Sequence, residues 1–335
     1  WQSPYFGSIQ NGLSVNGDRI YFGAGGYMYC YNATNGVQIW GYQWSPTVYA
    51  QTAPAVANGR VYFGTSDNYL YAVDASTGAF VWRYGGVSLA PIYSTPAVDG
   101  TLIYFGADDG KVREVNDTGI APALKWTYTT NNMRVRSTPA IGSGLVFFST
   151  YYTNAYVVAV NKATGIGVWN YTMSNYNENS PAYYGGLVFY ANSYNYKVYA
   201  LYANATPATY GETDPAIRKW STTLPNYAAP SSPTVADGKV FVGASDGRLY
   251  ALNWLTGQIE WTDKFTSGTP GEPIIADGRI FVSNPTLGLF AFGSFFPPLT
   301  NYYTVTVQSQ KFTVKLVINA TASALNATGL TTLKT

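Results

Sequence analysis

The sequence predicts an all-β protein, a seven-bladed β-propeller of four-stranded blades. Three observations carry that prediction. A unit of about 42 residues recurs, each full copy holds short runs of strand-forming residues separated by turns, and six copies end on tryptophan. The pattern is plainest at residues 61–84, VYFGTSDNYLYAVDASTGAFVWRY. Val61, Tyr62 and Phe63 favour strand, and residues 64–68 break it with Gly, Ser, Asp and Asn. A second strand is expected at 69–73, a second break at 74–78 and a third strand at 80–84.

Four anchors frame each copy. The first is a proline in a small-residue context, at Pro54, Pro96, Pro139, Pro181, Pro233 and Pro273, with gaps of 42, 43, 42, 52 and 40. A few residues on comes a pair suited to a two-residue hairpin turn: Asn58-Gly59, Asp99-Gly100, Gly185-Gly186, Asp237-Gly238 and Asp277-Gly278, with Asn16-Gly17 at the start. The third anchor is Thr or Asn before Gly ahead of the last strand, at Asn35-Gly36, Thr77-Gly78, Thr164-Gly165 and Thr256-Gly257. The fourth is tryptophan at Trp40, Trp82, Trp126, Trp169, Trp220 and Trp261, with gaps of 42, 44, 43, 51 and 41. A parallel β-helix needs shorter coils, and a two-sheet sandwich does not repeat so regularly.

A seventh copy runs from Pro273 through strands around 280–283 and 289–292, then stops at Gly293 without its tryptophan strand. The chain opens on Trp1, so the N-terminal segment is expected to supply the missing outer strand and close the ring. An eight-bladed ring is the alternative and requires residues ahead of Trp1. The propeller is assigned to residues 1–293.

Two copies depart from the pattern. The third replaces its Thr-Gly turn with residues 116–122, NDTGIAP, and the fifth carries about ten extra residues between Tyr202 and Lys219, expected as a protruding loop. The fourth and fifth are rich in Tyr and Asn, including Tyr151, Tyr152, Tyr183, Tyr184 and residues 192–196. Loops on a rigid scaffold carry function, so a binding surface is expected there; neutral drift of exposed turns is the alternative.

Residues 294–301, with Pro297 and Pro298, are predicted to be a stiff linker, and residues 302–335 a C-terminal β-strand extension. Its two β-rich runs are 303–308 (YTVTVQ) and 312–319 (FTVKLVIN), with 321–335 as an arm. Val305, Val307, Phe312, Val314, Leu316 and Ile318 are the candidate assembly residues. Two strands alone are marginal in water. They must pair with an edge of their own propeller, a neighbouring subunit or a further domain, and pairing with a neighbouring copy is the leading expectation.

Composition closes several functional classes. Charged residues are 11% and aromatics 17%, with 31 Tyr, which is far from the profile of a disordered chain. Net charge is +2 and no basic cluster exceeds Arg218-Lys219, so a nucleic-acid face is not expected. There is no His, and Cys30 is the single cysteine, so an intrachain disulfide and a Cys-based zinc site within one chain are excluded. Cys30 is expected to be a small buried filler. No run of about 18 apolar residues is present, so no membrane span is expected. The chain starts at Trp1 without Met, and removal of a signal peptide is the expected cause.

The most regular part of the unit is a small-Asp-x-x-Thr-Gly-x-x-x-Trp run, standing as Val73-Asp74 to Thr77-Gly78 and Trp82. It returns with Asn for Asp at Asn161, Thr164-Gly165 and Trp169, and at Asn253, Thr256-Gly257 and Trp261. These residues resemble the PQQ-like, quinoprotein-type propeller repeat, and the resemblance spans residues 1–293. It implies that the tryptophans, Trp40 through Trp261, dock between neighbouring blades. The enzymes of that family are alcohol or sugar dehydrogenases that hold PQQ and a calcium-like ion in the central channel through acidic and amide ligands, commonly with a vicinal Cys pair. Here the charged residues near the proline-marked strands are Arg134, Arg136, Glu178 and Glu272, and a hard cation wants several carboxylates. Asp108-Asp109 and Asp246-Gly247 read as turn residues. The closer likeness is to non-catalytic envelope members that act as scaffold or docking proteins. No catalytic residue, metal or cofactor is therefore expected.

Six Asn-x-Ser/Thr sequons stand at Asn32, Asn116, Asn170, Asn204, Asn319 and Asn326. Asn32 holds the turn place of Asp74, which an Asx-turn explains without sugar. Low charge and Tyr, Thr and Asn richness resemble archaeal surface and filament proteins. The functional expectation is a secreted, glycosylated, non-enzymatic surface protein that assembles with copies of itself through the tail. An extracellular glycan- or protein-binding module using Tyr151, Tyr152 and Tyr194 is the alternative, and a PQQ-dependent dehydrogenase the remoter one.

Overall fold

The computed structural model describes residues 12–45, 48, 50, 52–87, 89–152, 155–173, 179–227, 229–276, 279–284, 288–292, 302–306 and 313–317. The protein is a seven-bladed β-propeller, with seven sheets among the described residues, five of four strands and two of five. The blades follow one another along the chain, and the repeat strands of each lie side by side in chain order. Residues 2–188 and 202–218 form one compact unit, and residues 189–201 and 219–335 a second. Blades 1–4 lie in the first; blades 6 and 7 lie in the second.

Blade 2 shows the logic. Its strands are Ala55–Ala57, Arg60–Gly64, Tyr69–Asp74 and Phe80–Gly85. The second and third are buried on both faces, from Val61 to Gly64 and from Leu70 to Val73, because blade 2 is sandwiched between blades 1 and 3. A strand covered on both sides reads as a continuous apolar run rather than an alternation. Phe80–Gly85 is instead mostly exposed, and in it only Trp82 is buried. Three of the hydroxyls that stand two residues before a proline also have work. Thr52, Ser137 and Ser231 accept the backbone N–H of Gly64, Ser149 and Gly243 at the ends of the second strands.

The tryptophan anchor is built the same way in blade after blade. The register shifts by a bulge at Cys30/Tyr31, Ala72/Val73, Glu114/Val115, Ala159/Val160 and Ala251/Leu252, beside the residue that faces each Trp. That facing residue is small at Cys30, Ala72, Ala159 and Ala251, where a large ring must fold across it. Cys30 is therefore a filler in the place of alanine, and burial pushes its thiol up. The indole N–H then donates to a backbone carbonyl of the next copy: Trp40 to Ala75 at 3.0 Å, Trp126 to Lys162 at 2.9 Å, Trp169 to Ala203 at 2.8 Å and Trp220 to Trp254 at 2.9 Å.

The Thr-Gly anchor is the seat for that ring. Asp74, Asn161, Asn253 and Asn32 each accept two backbone N–H groups of the turn through the side-chain oxygen. Gly78 then adopts φ +73°, and a Cβ there would stand 2.6 Å from the Trp40 ring. Gly165 against Trp126 and Gly257 against Trp220 repeat the approach at 2.6 Å.

The third repeat solves the same problem differently. Trp82 donates to the Asp117 carboxylate at 3.0 Å, which also accepts Tyr62 Oη at 2.7 Å and Arg60 at 3.0 Å. Opposite Trp126 stands Glu114, buried and facing Tyr104. Burial, and then the Glu114 charge, hold the Tyr104 hydroxyl well above its ordinary range.

Two departures concern sheet edges. The fifth-repeat insertion is not a protruding loop. Its strand Ala208–Tyr210 pairs in parallel with the outer strand Gly167–Thr172 of blade 4, in register Trp169 to Ala208, Asn170 to Thr209 and Tyr171 to Tyr210. An outer strand offers unpaired N–H and C=O groups, and the insertion satisfies them. It is pinned by the Tyr171 hydroxyl and Arg218 guanidinium, both donating to the carbonyl of Glu212.

The second edge is that of blade 7. The expected closing strand at Trp1 lies outside the described residues, as do the Asp277-Gly278 turn and the linker 294–301. Beside Gly288–Phe292 stands Thr313–Val317, paired in parallel as Phe290 to Lys315, Ala291 to Leu316 and Phe292 to Val317. Tyr302–Thr306 pairs with that strand in turn, antiparallel. In this structure the tail strands thus join the chain's own seventh blade. Val305, Val314 and Leu316 lie on them, while Val307, Phe312 and Ile318 lie outside the described residues.

Two predictions follow from the turns. Gly78→Ala is expected to cost about 2–4 kcal/mol in denaturant unfolding, from positive φ and overpacking together. In a Trp40→Ala background most of that cost should vanish; a cost unchanged there would rule out the interlock. Asp74 is held below the usual carboxylate range by the N–H and then the hydroxyl of Thr77. A depressed carboxyl gives stability above that range and loses it as pH falls through it. Asp74→Asn, the residue its sister turns carry, should melt as the parent does at neutral pH and lose less on acidification below about pH 4. Equal acid loss in both proteins would contradict this.

Candidate functional site

The described surface of blades 3 and 4 carries two adjoining features. The first is a cleft of about 180 Å³ lined by Tyr128 on the outer strand of blade 3, Tyr156 and Asn170 on blade 4, Thr209 on the inserted strand, and Asn131 and Met133 in the loop after blade 3. Burial raises the Tyr128 hydroxyl, and Asn170 shares the lining with it. Thr150 donates to the Met133 sulfur at 3.5 Å, holding the loop that forms one side. Asn131 and Asn132 both have positive φ, 32° and 62°, a conformation that Asn tolerates better than most residues.

The second feature begins one residue past Met133. Arg136 clamps Asp108 through two hydrogen bonds of 2.8 Å, and its guanidinium lies 4.6 Å from the Tyr93 ring and 5.0 Å from that of Tyr151. Arg134 approaches the same carboxylate at 3.8 Å while its side chain stays 53% exposed. Among the described residues the Asp108 carboxylate thus faces both guanidiniums. Tyr152, exposed beside Tyr151, borders it. Tyr194 is exposed in the turn of blade 5.

The remaining sequence-derived candidates are placed as follows. Asn32 uses its side-chain oxygen in the turn and its amide toward Asp18. Asn116 is half-buried on Lys111–Asp117, Asn170 is half-buried between paired strands, and Asn204 is exposed in the insertion. Asn319 and Asn326 lie outside the described residues. Asp109 and Asp246 shape hairpin turns, accepting the backbone N–H of Lys111 and Arg248. The cleft itself could not be read in the sequence, because Thr209 reaches it only through the pairing of the insertion with blade 4.

The quinone and calcium of the related dehydrogenases are a poor fit to these residues. The charged groups near the proline-marked strands are Arg134 and Arg136, tied to Asp108, and Glu272, which accepts the Ser232 hydroxyl, while Glu178 lies outside the described residues. Among the described residues no three Asp, Glu, His or Cys side chains gather as cation ligands.

Blade number, the tryptophan docks and the Thr-Gly seats together define a PQQ-type propeller. The chain belongs to the PQQ-like propeller family described as outer membrane protein assembly factor BamB, whose model matches residues 1–206 and 213–293. No curated protein matches the sequence. The structure is similar to BamB from Moraxella catarrhalis, at TM-score 0.66 and 18% identity over 82% of this chain and 80% of that one. It is also similar to the computationally designed Ika8 protein, at 0.65 and 16% over 81% and 79%. The quinohemoprotein alcohol dehydrogenase ADHIIG from Pseudomonas putida matches at 0.60 and 16%, over 82% of this chain and 62% of the enzyme. At these identities the likeness is one of fold. No helix among the described residues is long and apolar enough to cross a membrane.

Replacing Asp108 with Asn should remove the carboxylate that Arg134 and Arg136 share and lower unfolding stability by about 1–2 kcal/mol. A loss that does not diminish when Arg136→Ala is added would show that the clamp is not its source.

Proposed function

We propose that this protein is a non-enzymatic, secreted and glycosylated surface propeller that assembles into filaments or arrays, each copy lending its C-terminal strands to the next. One observation carries the reading. The seventh repeat supplies three strands, Ile274–Ala276, Arg279–Asn284 and Gly288–Phe292, and the place beside the third is taken by Thr313–Val317 from beyond the repeats. That strand is held by main-chain pairing and tethered by residues 293–312 rather than by a tight turn. The same strand from a neighbouring copy makes the same pairs, so exchange between copies conserves the bonding. Head-to-tail exchange that does not close gives a filament.

Other features support the setting. The family description is of an outer membrane assembly factor, which favours action at the cell envelope. Asn204 presents its sequon on an exposed stretch of the insertion, open to a glycan. The exposed Arg134 guanidinium and the absence of a fitting cation-ligand set among the described residues favour docking over redox chemistry.

Deleting residues 299–335 should yield a folded, monodisperse monomer by light scattering and abolish assemblies seen by electron microscopy. Assemblies that persist unchanged in the deletion variant would overturn this mechanism.

A further inference from the structure

The cleft between blades 3 and 4 is not used by assembly through the tail, and its chemistry is specific. Its lining side chains are neutral: phenols, amides, hydroxyls, a thioether and an aliphatic. A charged ligand would find no counter-charge among them, and a purely aliphatic one would leave the amide of Asn131 and hydroxyl of Thr209 unpaired. Tyr128 and Tyr156 are half-buried and offer rings with a polar tip. Asn131, Asn170 and Thr209 supply donors and acceptors from three separate segments: a loop, a repeat strand and the insertion. The volume of about 180 Å³ lies below the range of sites for drug-sized molecules.

We propose that this cleft binds one neutral sugar ring of a glycan. The C–H faces of the ring pack on Tyr128 and Tyr156, and its hydroxyls exchange hydrogen bonds with Asn131, Asn170 and Thr209. Thr209 makes the assignment particular to this chain. The strand that carries it lies outside the repeating unit and forms a wall of the cleft by pairing with Gly167–Thr172. The Asn170 sequon acquires a second meaning, since its side chain lines the cleft.

The test is saturation-transfer NMR on the full chain with the methyl glycosides of glucose, galactose, mannose and N-acetylglucosamine, and with methyl glucuronide as a charged control. At least one neutral glycoside should show transfer, and the glucuronide should not. Thr209→Val keeps shape and backbone pairing while removing the hydroxyl, and should weaken binding about tenfold with an unchanged melting temperature. Asn131→Gly provides a second variant that tolerates the positive φ and removes the amide, and should also weaken it. No transfer from any neutral glycoside, binding unaffected by both substitutions, or preference for the glucuronide would each overturn the proposal. Binding that survives deletion of residues 299–335 is expected, because the cleft does not depend on the tail.

Discussion

The structure depends on a tryptophan from one repeat lying on the turn of the next. Four local features serve that contact: a bulge that turns the outer strand, a small residue opposite the ring, an Asx-turn that freezes the receiving loop, and a glycine that leaves room. A buried Trp is worth about 3–5 kcal/mol against truncation, while a whole domain is stable by only about 5–15. No single blade can stand without its neighbours, so the contact is also what makes the repeats cooperate. Where the third repeat loses its Thr-Gly turn, the Asp117 carboxylate takes the indole N–H and gathers Arg60 and Tyr62 around it. The chemistry changes and the dock persists.

With the blade interiors committed to packing, individuality is left to the outer edges and connecting loops. Blades 4 and 7 each hold a fifth strand among the described residues, and both come from outside the four-strand pattern. In blade 4 the insertion covers an edge and walls a neutral, tyrosine-lined cleft. In blade 7 the tail takes the place that a repeat strand fills elsewhere. Covering an edge removes an aggregation hazard, and a cover that can be exchanged turns the same hazard into a means of assembly.

Much of the fold could be read from residues that recur because geometry demands them. Trp82, Gly78 and Asp74 are spaced as their roles require, and their copies reveal the period. The arginine patch is half legible in the sequence: Arg134, Arg136, Asp108 and Tyr151 each stand out there, but their meeting does not. Arg136 and Asp108 are 28 residues apart and come together only because successive blades bring their loops side by side.

By itself the sequence determined the repeat, the all-β class, the blade count, the turn glycines and the exclusion of an intrachain disulfide and of histidine chemistry. Those are properties of local spacing and composition, which every copy restates. Only the tertiary structure decided where the unique segments go. The insertion between Tyr202 and Lys219 reads as a free loop in the sequence, yet Ala208–Tyr210 within it is a strand because the edge of blade 4 offers unpaired backbone groups. The tail showed apolar alternation and no partner, and found one at Gly288–Phe292. Backbone pairing is indifferent to side-chain identity, so a strand's destination is set by which edge is open and within reach.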